Sequence, residues 1–154
     1  MVVGVTLARG DDAFVPATHA ARPSVADVDT AAGMLYYCDV HRYEIVRQRL
    51  DGGAREVFAA DGVDNCEGLA VDWMGRNLYW TDDSLGALSV ARLDAPHRRA
   101  LLRERSHPRA LALDPANGVM YWAAWAPGRI ESAAMDASRR RTLLDAELQL
   151  GPTG

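Results

Sequence analysis

A chain of 154 residues with 49% hydrophobic and 25% charged residues has the balance of a globular domain. Its formal net charge of -4 excludes nucleic-acid binding by bulk electrostatics. No apolar run approaches the length that crosses a bilayer. Met1 is followed by Val-Val-Gly-Val-Thr-Leu without a charged n-region, so a signal peptide is not expected. All basic residues are arginine; lysine is absent.

From the N-terminus, residues 1–24 read as the last two strands of a partial unit, and three units follow over 25–67, 68–109 and 110–154. The third is truncated at the next repeat. Their mark is a recurring aromatic pair: Tyr36-Tyr37-Cys38-Asp39, Tyr79-Trp80-Thr81-Asp82 and Tyr121-Trp122-Ala123-Ala124. Seven residues before each pair stands an aspartate: Asp29, Asp72 and Asp114. After each pair an apolar run closes on Asp51, Asp94 or Asp136, and an arginine follows four residues later: Arg55, Arg98 and Arg140. A fixed period of this size signals a repeat architecture. Repeat folds of this kind usually present binding surfaces rather than catalytic clefts.

The middle unit shows what one period contains. Gly68–Trp73 is a short apolar strand, and Met74–Asn77 is a turn in which glycine supplies backbone freedom. Leu78–Thr81 is a second strand, rich in aromatic and β-branched residues. Asp82–Gly86 turns the chain into a third strand, Ala87–Leu93. Arg99–Arg103 is a fourth, more polar strand at the edge. Glycine or proline interrupts every window that could hold a helical repeat. Four short strands in about 42 residues describe a β-propeller blade. Blade faces bury aromatics against the next blade, which accounts for the recurring pairs. The carboxylate of Asp82 is expected to accept backbone N–H bonds in the turn that follows. Arg139–Arg141 reads as a solvated turn in preference to a carboxylate clamp.

Gly68–Asp82, with its Tyr-Trp-Thr-Asp close, resembles the class B repeat of the low-density lipoprotein receptor family, and His107–Trp122 is similar to the start of another copy. Tyr43–Gly52 and Asn65–Gly68 most resemble the large endocytic receptor-related proteins. The Wnt co-receptors and nidogen-like matrix proteins share the repeat and remain the alternative. The resemblance implies an all-β fold, a partial six-bladed propeller of about three and a half blades. Six blades need about 260 residues, so the ring is not closed by this chain. It also implies a non-catalytic module that binds and releases extracellular protein or lipoprotein ligands. The parent would cycle between cell surface and endosome, beside neighbouring cysteine-rich modules, with no direct membrane contact by this segment. The structural motif is then Tyr36, Tyr37, Asp39, Asp72, Tyr79, Trp80, Thr81, Asp82, Asp114, Tyr121 and Trp122.

No nucleophile elbow, phosphate-cradling loop or zinc spacing occurs, so no catalytic residue, cofactor or metal is assigned. Asp61–Asn65 hints at a calcium loop but lacks the required glycine and distal glutamate. Cys38 stands where the second unit has Thr81, and Cys66 where it has Pro108. Neither has a cysteine counterpart, which favours small buried or half-buried thiols over a disulfide. Propellers commonly bind partners on the face made by the loops that enter the innermost strands. Those loops carry Asp64, Asn65 and Glu67 in one unit and His107 and Arg109 in the next, and Trp125 adds a candidate anchor. The alternative is that Glu67 and Arg109 are solvated and Trp125 packs between blades. His41, His97 and His107 fall in turns, where passive exposure outweighs a pH-sensing role. An open stack of blades leaves an apolar face uncovered, so sedimentation of the isolated chain is expected to show association; a compact monomer would contradict this.

Overall fold

The computed structural model describes residues 2–5, 13–17 and 20–146. The expected start of a further unit, within 147–154, lies outside these residues. Two short strands at the N-terminus, β1 (Val2–Val5) and β2 (Ala13–Ala17), pair antiparallel. Three four-stranded sheets follow. The first holds β3 (Pro23–Asp29), β4 (Met34–Asp39), β5 (Glu44–Arg49) and β6 (Arg55–Ala59). The second holds β7 (Cys66–Asp72), β8 (Asn77–Asp82), β9 (Ala87–Arg92) and β10 (Arg99–Arg103). The third holds β11 (Pro108–Asp114), β12 (Val119–Ala124), β13 (Arg129–Ala134) and β14 (Arg141–Asp145). Each is an antiparallel meander in chain order. The expected all-β blades are therefore present, as three sheets of a partial propeller with no closed ring.

Short connections allow only antiparallel neighbours, so each sheet is built from local pairings. The sheets then meet face to face through their inner strands, with β7 lying against β3 on one side and β11 on the other. Gly68 makes the second approach close. A Cβ there would collide with the Arg109 carbonyl, with Thr81 Oγ1 and with Leu111. Only a residue without a side chain fits.

Period-two alternation puts the two members of each aromatic pair on opposite faces. Tyr36 joins Cys38, Ile45 and Phe58 against Leu69, Val71, Leu78 and Trp80 of the second sheet. Its ring meets Phe58 edge-on, with centroids 5.5 Å apart and planes at 88°. Tyr79 and Leu88 in turn face Met120, Trp122 and Ala133 of the third sheet. The second aromatics, Trp80 and Trp122, thus point back toward the preceding sheet. Tyr37 points back as well, packing with Leu35 and Val46 against Ala20. Tyr36 and Tyr79 are 2% and 5% exposed, whereas Tyr121, which has no sheet in front of it among the described residues, is 36% exposed.

The three periodic aspartates do one job. Each carboxylate accepts a backbone N–H three residues on: Ala32 to Asp29 at 3.2 Å, Gly75 to Asp72 at 2.8 Å, and Asn117 to Asp114 at 3.2 Å. In this turn the sequence reading needs correction. Gly75 is not the left-handed residue; Arg76 is, with φ 58°. The other two units place Gly33 and Gly118 at that slot, with φ of 63° and 65°. An arginine tolerates the strain because its guanidinium reaches Asp29 of the preceding sheet at 2.6 Å. Asp29 is fully buried, so the pair compensates a charge as well as a backbone.

A second correction concerns Arg140. It lies in an exposed connection, but its side chain is not left to solvent alone. It pairs bidentately with Glu104 of the second sheet at 2.8 and 2.7 Å, contacts Glu131, and lies over the Trp122 ring. The other periodic arginines are also paired, Arg55 with Glu44 and Arg98 with Asp61. The Arg140 guanidinium, against a smaller opposing effect of burial, holds the Glu104 carboxyl below its ordinary range.

A third correction is covalent. Cys38 of β4 and Cys66 of β7 are not free thiols. They form a disulfide with S–S 2.04 Å between the first and second sheets.

Truncation at the two ends of the motif is expected to differ sharply in urea unfolding. Trp80→Ala, which empties a fully buried site, should cost about 3–5 kcal/mol. Tyr121→Ala should cost less than about 1 kcal/mol.

Candidate functional site

At one end of the sheets, the connections that enter β7 and β11 meet the turns that join β8 to β9 and β12 to β13. The closing aspartate of the aromatic motif builds this junction. Asp82 accepts the Leu85 N–H at 2.9 Å, within the turn that follows, and the Asp64 N–H at 2.6 Å, from the connection entering β7. Asp39 does the same in the first sheet. It accepts the His41 N–H at 3.2 Å and the Ala21 and Arg22 N–H groups at 2.7 and 3.1 Å. One carboxylate therefore anchors both loops. Burial pushes the Asp39 carboxyl upward, but the backbone donors together outweigh that and leave it below the ordinary value.

In the third unit Ala124 has no carboxylate to offer, and the junction is made by backbone instead. Trp125 N–H donates to the His107 carbonyl at 3.1 Å, Ala126 N–H to Ser106 at 3.3 Å, and Gly128 N–H to Ala124 at 3.1 Å. The Ala126–Pro127 peptide is cis.

These bonds bring together residues that the sequence placed in separate loops. Asp83 N–H donates to the Asn65 carbonyl at 2.9 Å. The Asp83 carboxylate lies 3.3 Å from His107 Nδ1 and 3.4 Å from Arg109 Nε. The Arg109 guanidinium in turn sits 4.4 Å from the centre of the Trp125 ring. Asn65 Nδ2 reaches Glu67 at 3.1 Å. Asp64, Asn65, Glu67, Arg109 and Trp125 therefore share one end of the molecule, linked through Asp83. Trp125 is 67% exposed, which places it on the surface rather than between sheets.

Asp83 is the residue that sequence reasoning missed. It follows the Tyr-Trp-Thr-Asp run directly, as a second aspartate with no counterpart in the neighbouring units. That irregularity was the available signal. Among the described histidines, His107 is the one that the Asp83 cluster recruits.

The face carries an exposed aromatic anchor, a cation stacked on it, and acidic and amide groups beside them. That mixture suits a protein surface with both apolar and charged elements. Among the described residues no group of three or more His, Cys, Asp or Glu is placed to hold a metal ion. No helix there is long and apolar enough to cross a membrane.

With this geometry in place, similarity to known proteins takes on meaning. Residues 76–115 match the low-density lipoprotein receptor repeat class B. Low-density lipoprotein receptor-related protein 5 from Mus musculus is 40% identical over 98 residues, which is 62% of this chain and 6% of that protein. The chain thus spans a small part of that relative. A crystal structure of a nidogen/laminin complex aligns with TM-score 0.76 and 31% identity, over 80% of this chain and 48% of its counterpart. Virginiamycin B lyase from Staphylococcus aureus aligns with TM-score 0.65 at 16% identity, over 80% of this chain and 41% of that one. This last likeness concerns the fold alone.

Because the folded carboxyl of Asp39 is held below its unfolded value of 3.8, its stabilisation is present above that value and is lost as pH falls through the folded one. Acid titration of the melting temperature is expected to show a steeper fall from about pH 5 to about pH 3 in the wild type than in Asp39→Asn. Parallel curves would remove Asp39 as an acid-sensitive anchor.

Proposed function

We propose that this chain, whose residues 76–115 match the low-density lipoprotein receptor repeat class B, is a non-catalytic ligand-binding part of an extracellular receptor propeller. The observation that carries this reading is the continuous patch from Asn65 through Asp83, His107 and Arg109 to Trp125. Its one exposed tryptophan is 67% accessible yet held in place by a stacked arginine. An aromatic kept rigid and exposed loses little conformational freedom on binding, which suits a contact hot spot. A disulfide between sheets fits an oxidising, extracellular setting.

Within this reading the partners are extracellular proteins or lipoproteins, and the parent carries them into the cell and releases them in endosomes. The support for uptake is the resemblance of Tyr43–Gly52 and Asn65–Gly68 to the large endocytic receptor-related proteins. A second reading, a matrix or signalling scaffold, draws on the 31% identity to the nidogen/laminin structure. The lyase likeness adds no catalytic claim, since at 16% identity the fold alone is shared.

Biolayer interferometry of the full chain against purified low-density lipoprotein and against laminin separates these readings. Binding to lipoprotein, weakened about tenfold or more by Trp125→Ala and by Arg109→Ala at unchanged melting temperature, is the expected result. Binding to laminin alone would select the scaffold. Binding that both variants retain in full would move the site off this face.

A further inference from the structure

The same corner is closed by a different chemistry at each of the two interfaces between the described four-stranded sheets, and the third sheet offers none. In the second sheet, Thr81 lies opposite Leu88 on the neighbouring strand, and its hydroxyl donates to the Arg109 carbonyl of the third sheet. In the first sheet, Cys38 holds the equivalent register, opposite Ile45, and it is bonded to Cys66 of the second sheet. In the third sheet, Ala123 lies opposite Ile130 and has no group to offer. The partner position matches as well. Cys66 pairs with Asp82, as Pro108 pairs with Ala124. A disulfide thus stands where the next interface has a single hydrogen bond.

Its position matters because of what Cys66 terminates. Residues 60–65 connect β6 to β7 and carry Asp64 and Asn65; Glu67 follows Cys66 directly. Upstream, the connection is held by buried Val63 and by an Arg98–Asp61 pair at 3.8 Å, in which Asp61 is largely exposed. In its middle, Asp64 N–H reaches Asp82 and the Asn65 carbonyl receives Asp83 N–H. At its downstream end Ser24 Oγ donates to the Cys66 carbonyl at 2.8 Å, and the disulfide fixes the side chain. The first sheet therefore grips the loop from behind, while the second sheet grips it from beside. Without the covalent grip, the first sheet would keep only the exposed Ser24 hydroxyl on this end, and the rest would fall to the β7–β8 pairing of the second sheet.

We propose that the Cys38–Cys66 disulfide is a positioning lock for this face, clamping the connection so that Asp64, Asn65 and Glu67 keep one arrangement. Closing the lock joins two thiols as one S–S bond. Two protons and two electrons pass to a protein disulfide oxidant, which leaves as a dithiol. Opening is the reverse, with an attacking dithiolate that passes through a mixed disulfide. Both cysteines are 0% exposed, so a reductant reaches neither sulfur until the first two sheets part at this corner. The lock is thus set while the chain folds in oxidising surroundings and is shielded afterwards. Its value for binding rests on the reading of this face given above.

Hydrogen exchange followed by mass spectrometry on the full chain, made in an oxidising host, tests the lock directly. Three forms are compared: the wild type, Cys38→Thr with Cys66→Pro, which copies the second interface, and Cys38→Ala with Cys66→Ala, which leaves the corner without a tie. Peptides covering 60–67 are expected to exchange slowest in the wild type, at an intermediate rate in the threonine form, and about tenfold or more faster in the alanine form, with β8 and β9 unchanged. If the alanine form fails to fold, the wild type and the threonine form decide by the same comparison. Equal exchange in the folded forms overturns the proposal, as does a wild-type mass that is not two hydrogens below the dithiol. Faster exchange with unchanged affinity for low-density lipoprotein supports the lock and counts only against the face as its beneficiary.

Discussion

Everything in this molecule depends on one interface, the packing of a four-stranded sheet against the next through an aromatic pair whose members point in opposite directions. The first rings of the first two pairs, Tyr36 and Tyr79, meet the sheet ahead, and the second rings of the last two, Trp80 and Trp122, meet the sheet behind. A strand with both faces buried can no longer be amphipathic, which is why β8 is buried from Leu78 to Asp82. The core is accordingly divided into separate layers between sheets, and each layer needs both neighbours. In such an arrangement stability approximates a sum over units and their interfaces.

Polar groups do the positioning that apolar layers cannot. Apolar contact is non-directional, so it holds two sheets together without setting their register. Directional ties supply that register here: Val71 N–H to Asp27 at 2.8 Å, Arg47 to the Leu93 carbonyl at 3.1 Å, and Tyr79 hydroxyl to the Met135 carbonyl at 3.1 Å. Tyr79 illustrates the price of that role. Burial first, with Asp72 and Asp136 nearby, pushes its hydroxyl up to about 12, so it remains a donor. The units also differ where the repeat has drifted. Ala137 takes φ 70° at the slot that Gly52 fills in the first unit, a conformation that strains any residue with a Cβ.

The period was legible because it is written in neighbours along the chain. Tyr36, Tyr79 and Tyr121 announce their strands by composition, and Asp29, Asp72 and Asp114 announce the turns that follow. Features created across units were not legible. Cys38 and Cys66 looked unpaired because each lacks a cysteine counterpart in its own register, whereas the bond runs between different registers of adjacent sheets. Arg76 took the left-handed slot because Asp29, a unit away, is there to receive it. Arg140 found Glu104 in the same manner. The loops carrying the candidate residues could be placed at one end from the strand order, but the part of Asp83 in joining them needed the fold.

Gly68 has a consequence for the shape of the whole. Where it sits, the backbone of β7 approaches that of β11 closely enough to exclude a methyl group. At the outer edge of the same two sheets, the gap is spanned instead by two long side chains, Arg140 and Glu104, that meet as an ion pair. A stack that is narrow inside and broad outside must curve, as stones cut to a taper form an arch. Replacing that hydrogen by a side chain would therefore act as a shim at the inner rim, and the loops it displaces would be those gathered at the end of the arch.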